Sequence, residues 1–594
     1  MGNGIKPVVK SGKMLAKHNR YYQRGGLGLA AFTGMVMIVA LWGLFVLALI
    51  ALMQAASPQE PPSSSFFSWL ISEARITYAL RSALLQAALS TIGAVMVAIP
   101  LSVVMARRYR WYGRGLLRLM TGLAFVIPTT VAASGLLAVW GRHGLINHVL
   151  SGLNGILPLP FMELPSFFGL KAVVLAHIFF NAPLMIRVFL PRILSVPETH
   201  WRLARMTGMT ARDQFRFIEW PAIKPIILPM MILVFLFCFS SFSLVLMVGG
   251  GPAVTTLEVE IYAAIRIAYD FPLAVGLTIL QIAVAFIMLI VMVSHPVMRK
   301  MMPQVVGGIK LPSLHILPSH LNSLKYIDIL CVCFLFTLLV LPIMALMVKG
   351  VTGDMLTVLV APAFWQATEN SLTIALISAS CVSILAMILA ETRYQLGFIQ
   401  RPARWQMIAI VMLESSVMIT LVIPAIVMGT AMFILLRHMA DIFIIAPYLV
   451  LVANILMGLP VSYRLISGKW LLVRHQNHHL RLAYGMNSWT SIRFLILPVM
   501  GRDIGLIFGM VAAMSMGDLG VIALFSSSDF KTLPWLLFEQ AGRYRTDEAA
   551  ATAVLLMLIT LMVYMIGHGI GRILSHPPSM AISDHNALND QITG

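Results

Sequence analysis

The chain has 594 residues, 59% of them hydrophobic and only 11% charged, with a mean hydropathy of +0.88. A soluble domain keeps roughly a quarter of its residues charged, so an ordinary water-soluble protein is excluded; apolar runs of about 20 residues or more, enough to cross a hydrocarbon core of roughly 30 Å, exclude one large buried core. The net charge of +19 does not point to nucleic acid, because the basic residues stand in short stretches between apolar runs, as the positive-inside rule describes.

In chain order, a basic stretch (Lys6, Lys10, Lys13, Lys17, Arg20, Arg24) opens residues 1–26, expected to be a cytoplasmic tail. The apolar run behind it is too long for a signal-peptide core, and Lys6 stands where lipidation of Gly2 would need Ser or Thr. Six spans are predicted at about Leu27–Met53, Ala79–Ala106, Leu116–Trp140, Phe168–Leu190, Ile223–Val248 and Leu273–Val293. Six more follow at about Tyr326–Val348, Ser371–Ala390, Met407–Leu436, Ile442–Leu465, Ile504–Phe525 and Ala550–Ile570. Backbone groups in lipid must bond within their own segment, so each span is read as a helix, and no alternating pattern suggests a barrel. The expected organisation is a first six-helix half (27–294), a Pro/Gly/basic cytoplasmic linker (295–325), a second half (326–574) and a flexible cytoplasmic tail (575–594).

Basic residues set the orientation. Arg107, Arg108, Arg110, Arg114 and Arg118 follow the second span, Arg299, Lys300, Lys310 and Lys325 join the halves, and Arg393, Arg401 and Arg404 follow the eighth. The intervening loops are poorer in Lys and Arg, and one carries Glu258, Glu260 and Asp270. Twelve spans then place both termini in the cytoplasm. Cys238, Cys331, Cys333 and Cys381 all lie in apolar runs without metal-ligand spacing, so they are read as free thiols.

The two halves repeat. Ala176 and Ala453, Pro183 and Pro460, Arg187 and Arg464, Gly208 and Gly485, and Pro221 and Pro498 are each 277 residues apart. An even number of spans separates the copies, so the repeat is parallel, and two such halves would enclose a central pathway. After the fourth span of each half, a glycine precedes a proline by thirteen residues: ETHWRLARMTGMTARDQFRFIEWP ends at Pro221, and HQNHHLRLAYGMNSWTSIRFLILP at Pro498. Thr210 and Asn487 are capping candidates for an amphipathic run that the proline is expected to close, giving a short helix along the cytoplasmic face. Its apolar residues Phe215, Phe217 and Ile218, and Trp489, Ile492, Phe494 and Leu495, need a surface to bury against: the chain's own helix ends, lipid headgroups or a partner.

These loops resemble the "EAA" loop, Glu-Ala-Ala-x3-Gly-x9-Ile-x-Leu-Pro, of permeases from binding-protein-dependent ABC importers. Ala204, Gly208, Ile218 and Pro221 match in the first copy, and Gly485, Leu497 and Pro498 in the second, with Leu495 conservative. Arg202, Leu203 and Trp220, and His479, Leu480 and Arg481, depart from the pattern. Over most of its length the chain resembles the fused permeases of bacterial thiamine importers, in AHIFFNAP (Ala176–Pro183), FRFIEWP (Phe215–Pro221), GGGPAVTTLEVEIYAAI (Gly249–Ile265) and MGDLGVIALFSSSDFKTLP (Met516–Pro534). Fused permeases for ferric iron share part of this pattern. The resemblance implies an all-α membrane protein of the type I ABC importer permease fold in a bacterial inner membrane. Two copies of an ABC ATPase would bind the ATP and Mg, and a periplasmic binding protein would deliver the solute to outer loops that include Gly249–Tyr262 and Ser526–Pro534. It further implies an ATPase-coupling set of Ala204, Gly208, Phe215, Ile218, Pro221, Gly485, Trp489, Leu495, Leu497 and Pro498.

The chain carries no GxxxxGK[ST] phosphate loop, so it is not expected to hydrolyse ATP or to hold a cofactor. His475, His478 and His479 lie in the second loop and are read as a surface cluster rather than a metal site. Ionisable or amide groups inside spans are candidates for the substrate pathway: Glu414, Asp518, Asn181 and Asn454. Each has an alternative reading in helix packing. Pro128 and Pro424, both in a V-I-P context, are candidate kinks. Two alternatives stay open: another small-solute cargo such as ferric iron, and an ion-gradient-driven carrier, for which Glu414 and Asp518 would be a thin charge relay.

Overall fold

A computed structural model describes residues 73–107, 127–142, 144–154, 167–249, 251, 254–294, 325–397, 404–437 and 441–575. Among the described residues there is no strand, and eight helices are long and apolar enough to cross a membrane. The expected span Leu27–Met53, both tails and most of the linker lie outside the described residues, and Leu116–Trp140 is described only from residue 127.

The first half contains α1 (Ala74–Arg107), α2 (Thr129–Trp140), α3 (Leu145–Asn154), α4 (Leu170–Leu194), α5 (Glu198–Met206), α6 (Ala211–Phe239), α7 (Ser243–Val248), α8 (Leu257–Arg266) and α9 (Phe271–Ser294). The second contains α10 (Lys325–Thr352), α11 (Met355–Val360), α12 (Pro362–Gly397), α13 (Arg404–Val422), α14 (Ala425–Leu436), α15 (Ile442–Gln476), α16 (His478–Ala483), α17 (Trp489–Met516), α18 (Ile522–Phe525), α19 (Leu533–Gly542) and α20 (Thr546–Leu574). The run α4 to α9 reappears, element for element, as α15 to α20, so the repeat read from five matched residues extends to the whole order of elements.

Three expected spans are interrupted. Met407–Leu436 is two helices, because Pro424 lacks the N–H that would continue α13 and instead serves as the N-cap residue of α14. Pro128 has the same place before α2. Ile223–Val248 breaks at residues 240–242 and Ile504–Phe525 at residues 517–521, the same point of the repeat. Irregular backbone at membrane depth persists where protein surrounds it, and all four residues of α18 are buried.

Within each half the second-span helix packs on the fourth: α1 on α4 and α12 on α15. Small residues make the approach possible, with Ala79, Ala83, Ala87, Ala94 and Ala98 of α1 fully buried. In the second half α17 and α20 meet through glycine. A Cβ at Gly567 would come 2.7 Å from Gly509 Cα, one at Gly571 2.7 Å from Gly501 O, and one at Gly505 would strike Gly567 O and Gly571 Cα.

Candidate functional site

Each loop after the fourth span begins with a short helix that the chain reverses out of at glycine. Gly208 has φ +67° and Gly485 φ +59°, the left-handed region where a side chain costs roughly 1–2 kcal/mol. The reversal is a Schellman cap: Met209 N–H donates to Ala204 O at 2.9 Å, and Met486 N–H to Arg481 O at 3.1 Å. The glycine that anchors the sequence repeat is thus required by backbone geometry, twice.

The following helix starts where the sequence placed it. Thr210 Oγ1 accepts from Asp213 N–H at 3.3 Å while Asp213 Oδ2 accepts from Thr210 N–H at 3.1 Å, a reciprocal capping box. Asn487 Oδ1 accepts from Thr490 N–H at 2.7 Å. The proline does not close this helix, and that expectation is corrected. Phe215–Glu219 and Ile492–Ile496 are π turns, with Trp220 N–H bonded to Phe215 O and Leu497 N–H to Ile492 O. The wider turn shifts the bonding register just before Pro221 and Pro498, which occupy the first turn of the next α segment. A missing donor costs little there, so the helix runs on into the membrane. The separate surface helices are therefore α5 and α16, before the glycine.

Burial divides the expected coupling residues. Ala204 and Ile218 are buried, Phe215 is half-buried against Trp220, and Leu495, Leu497 and Pro498 are half-buried. Gly208, Pro221, Gly485 and Trp489 are exposed. The largest matched apolar surface comes from residues outside that set. Leu203 and Leu480, 277 apart, are 56% and 42% exposed, and Phe217 and Phe494, at the same offset, are 59% and 40% exposed. Met206 and Tyr484 extend the two patches. In the second patch His478 bonds Tyr394 Oη at 3.4 Å. Its imidazole is held below the usual value, first by partial burial and then by the charges of His479, Arg481, His475 and Arg474.

A buried ion pair fixes the base of each loop to the second-span helix, and neither was foreseen. In the first half, Arg107 at the end of α1 grips Glu219 with two hydrogen bonds, Nε to Oε1 at 2.8 Å and Nη2 to Oε2 at 2.7 Å, and also donates to Ala211 O at 2.9 Å. In the second, Arg474 of α15 grips Glu391 of α12 through Nε at 2.8 Å and through Nη2, and Nη1 donates to Ser491 Oγ at 2.7 Å. Trp470 Nε1 completes the site on Glu391 Oε2 at 2.9 Å. Paired in this way a guanidinium and a carboxylate meet in fixed geometry. Arg107 had been legible only as one of a run of loop charges.

The intramembrane candidates separate. Asn454 donates to Ser515 Oγ at 2.8 Å, tying α15 to α17. Asn181 donates to His177 O at 3.0 Å and to Cys238 Sγ at 3.4 Å, tying α4 to α6. His177 and Cys238 stand 277 residues before Asn454 and Ser515, so both halves knit the same helices at the same level. Glu414 is half-exposed and bonds Arg393 of α12 at 3.1 Å. Asp518 lies in the break between α17 and α18, its Oδ1 accepting from Gly520 N–H at 3.0 Å. At the other end of the spans, α8 is held by Arg75 Nε on Glu260 Oε1 at 2.8 Å, and α19 by Ser371 Oγ on Leu533 N–H at 2.8 Å. No group of three or more His, Cys, Asp or Glu among the described residues could hold a metal ion.

Known proteins share much of this sequence. The family described as binding-protein-dependent transport system inner membrane component matches residues 98–302. The chain is 33% identical over 542 residues to the thiamine transport system permease protein ThiP of Brucella abortus (strain 2308), covering 91% of this chain and 94% of that protein. Against ThiP of Escherichia coli (strain K12) it is 32% identical over 489 residues, 82% of this chain and 88% of the relative. Against ThiP of Haemophilus influenzae it is 28% identical over 488 residues, 81% and 86% of the two chains. The chain is a multi-pass transport permease and not an enzyme, and it belongs to the family of these binding-protein-dependent inner membrane permeases.

Proposed function

We propose that this chain forms the whole transmembrane pathway of an ATP-driven thiamine importer in a bacterial inner membrane, with both termini and the linker in the cytoplasm. Two ATPase subunits, carrying ATP and Mg, bind the two loops after the fourth spans, and a periplasmic binding protein delivers thiamine to the outer connections around α8 and α19. The two halves, residues 27–294 and 326–574, alternate access between the two sides. The reading is carried by one observation: two loops at one sequence offset, each a short Schellman-capped helix followed by a segment that runs through a π turn into a long apolar helix, with matched exposed apolar residues on both parts. A push on α5 or α16 is delivered directly to the base of α6 or α17. Coupling then requires only that the ATPase bind these patches differently in the two states.

Ala204 and Ile218 act from within as the packed floor of the first patch. Gly208, Phe215, Pro221, Gly485, Trp489, Leu495, Leu497 and Pro498 shape the two contact surfaces, together with Leu203, Phe217, Leu480 and Phe494. Asp518 faces the pathway, and Asn181 and Asn454 tie the fourth-span helices to the helices that follow the loops. Glu414 is assigned to the clasp with Arg393 between α12 and α13. The test is uptake of radiolabelled thiamine, set beside ferric iron, in a strain lacking this chain and complemented with it. Complementation should restore thiamine uptake alone, and Gly208→Arg or Gly485→Arg should abolish it and loosen the ATPase while membrane insertion persists. Restored iron uptake would replace the substrate, and normal thiamine uptake by both arginine variants would refute the coupling assignment.

A further inference from the structure

Three helix ends converge around residues 517–520, and they come from both halves. A Cβ at Gly517 would lie 3.1 Å from Pro128 Cβ, at the start of α2, and one at Gly520 would lie 2.8 Å from Ala425 Cβ, at the start of α14. Arg266 of the first half crosses to the same region, donating to Ser526 O at 3.0 Å and Leu524 O at 3.4 Å. The break therefore sits on the seam between the halves, where a parallel repeat encloses its pathway. Asp503, paired with Lys469 near the base of α17, precedes Asp518 by fifteen residues, a helical rise of about 22 Å in a hydrocarbon core of roughly 30 Å. Asp518 thus belongs to the outer third of the membrane.

The carboxylate there is anchored by backbone alone. Oδ1 caps the Gly520 N–H and the Val521 N–H lies close by, whereas Oδ2 is buried and has no hydrogen bond of normal geometry among the described residues. Arg266, the basic side chain that reaches this region, is committed to backbone carbonyls and to the face of Phe443. A buried carboxylate without a countercharge is costly and marks a functional position by default in a membrane protein. The repeat adds a second observation. The residue 277 positions earlier is Ser241, in the matching break between α6 and α7. Two positions are equivalent in the repeat, and only one of them carries a charge.

We propose that Asp518 is the countercharge for a monocationic substrate at the outer mouth of the pathway, one carboxylate for one positive ring. This rests on the reading of the chain as a thiamine importer, whose cargo carries a single fixed positive charge on its thiazolium ring. Oδ1 holds the break in shape and Oδ2 meets the cation as it leaves the delivering protein. The seam places that charge against whichever half the substrate touches first.

The test uses the complete transporter, with ATPase and binding protein, in proteoliposomes. The probes are thiamine and an uncharged isostere in which carbon replaces the ring nitrogen. Asp518→Asn keeps an acceptor for the Gly520 N–H and removes only the charge. It should lower thiamine uptake about tenfold, the effect of roughly 1.4 kcal/mol of lost attraction, and erase the wild-type preference for thiamine over the isostere. Asp518→Glu should retain uptake, and adding Ser241→Asp to Asp518→Asn should restore it, because the repeat places the new carboxylate across the seam. Unchanged thiamine uptake by Asp518→Asn overturns the proposal, as does equal loss in the Asn and Glu variants with the preference intact, which is the signature of a structural role. A wild-type complex inert to thiamine overturns the importer reading itself and this inference with it.

Discussion

The two halves share one topology and differ in nearly every polar contact that maintains it. At the base of the loops after the fourth spans, the first half places arginine on the second-span helix and glutamate on the π turn (Arg107, Glu219), while the second places glutamate on the second-span helix and arginine at the end of the fourth (Glu391, Arg474). At the opposite end α8 is held by an ion pair and the start of α19 by neutral hydrogen bonds, Ser371 Oγ accepting from Leu533 N–H and Asn370 donating to Lys531 O. The sixth-span helices differ more. Gly501, Gly505 and Gly509 bring α17 into backbone contact with α20, whereas the positions 277 earlier are Lys224, Leu228 and Ile232, and α6 packs on α9 less closely. What the halves have in common is backbone geometry: the left-handed glycine, the π turn and the outer break. Side-chain chemistry is free to drift where several solutions hold the same backbone, and it has not drifted where only glycine satisfies the turn.

That comparison can be broken by variants that treat the halves unequally. The largest effect is expected at the buried ion pairs. Glu219→Ala or Glu391→Ala leaves a guanidinium buried without its partner, and each should cost about 3–5 kcal/mol, read as a large fall in the half-inactivation temperature in detergent. Equal losses would establish that the inverted pairs serve the same purpose, and a negligible loss at one would show that its loop is held by other contacts. A smaller effect should distinguish the α17–α20 seam. Gly505→Val forces backbone apart and should cost about 1–3 kcal/mol, whereas Leu228→Ala, at the matched and exposed position of α6, should stay within about 0.5 kcal/mol. Equal responses to the two would refute the claim that the second half is the more tightly bound.

Much of this was legible in the sequence, for physical reasons. Spans were visible because lipid demands long apolar helices, and the matched loops after the fourth spans because a Schellman cap admits few residues besides glycine at its left-handed position. Thr210 and Asn487 were identified as caps because a short oxygen-bearing side chain can reach the N–H two or three residues on. Other features were not legible. Proline ordinarily ends a helix, so the continuity of α6 and α17 through Pro221 and Pro498 required a π turn that no local pattern announced. The partners of Arg107 and Arg474 lie 112 and 83 residues away, beyond any periodicity. Glu414 looked like a lone charge in an apolar run until the packing of α12 against α13 brought Arg393 to it. Asp518 stood inside an expected continuous span, and the break that defines its surroundings follows from tertiary packing.

The central claim is that both exposed patches face the cytosol and are covered by the ATPase. On a background free of the native cysteines, Phe217→Cys and Phe494→Cys report on it through a membrane-impermeant maleimide. Neither should react in intact cells, both should react in inside-out vesicles stripped of ATPase, and re-addition of the ATPase should protect both. Labelling from outside the cell, or labelling indifferent to the ATPase, would contradict the account.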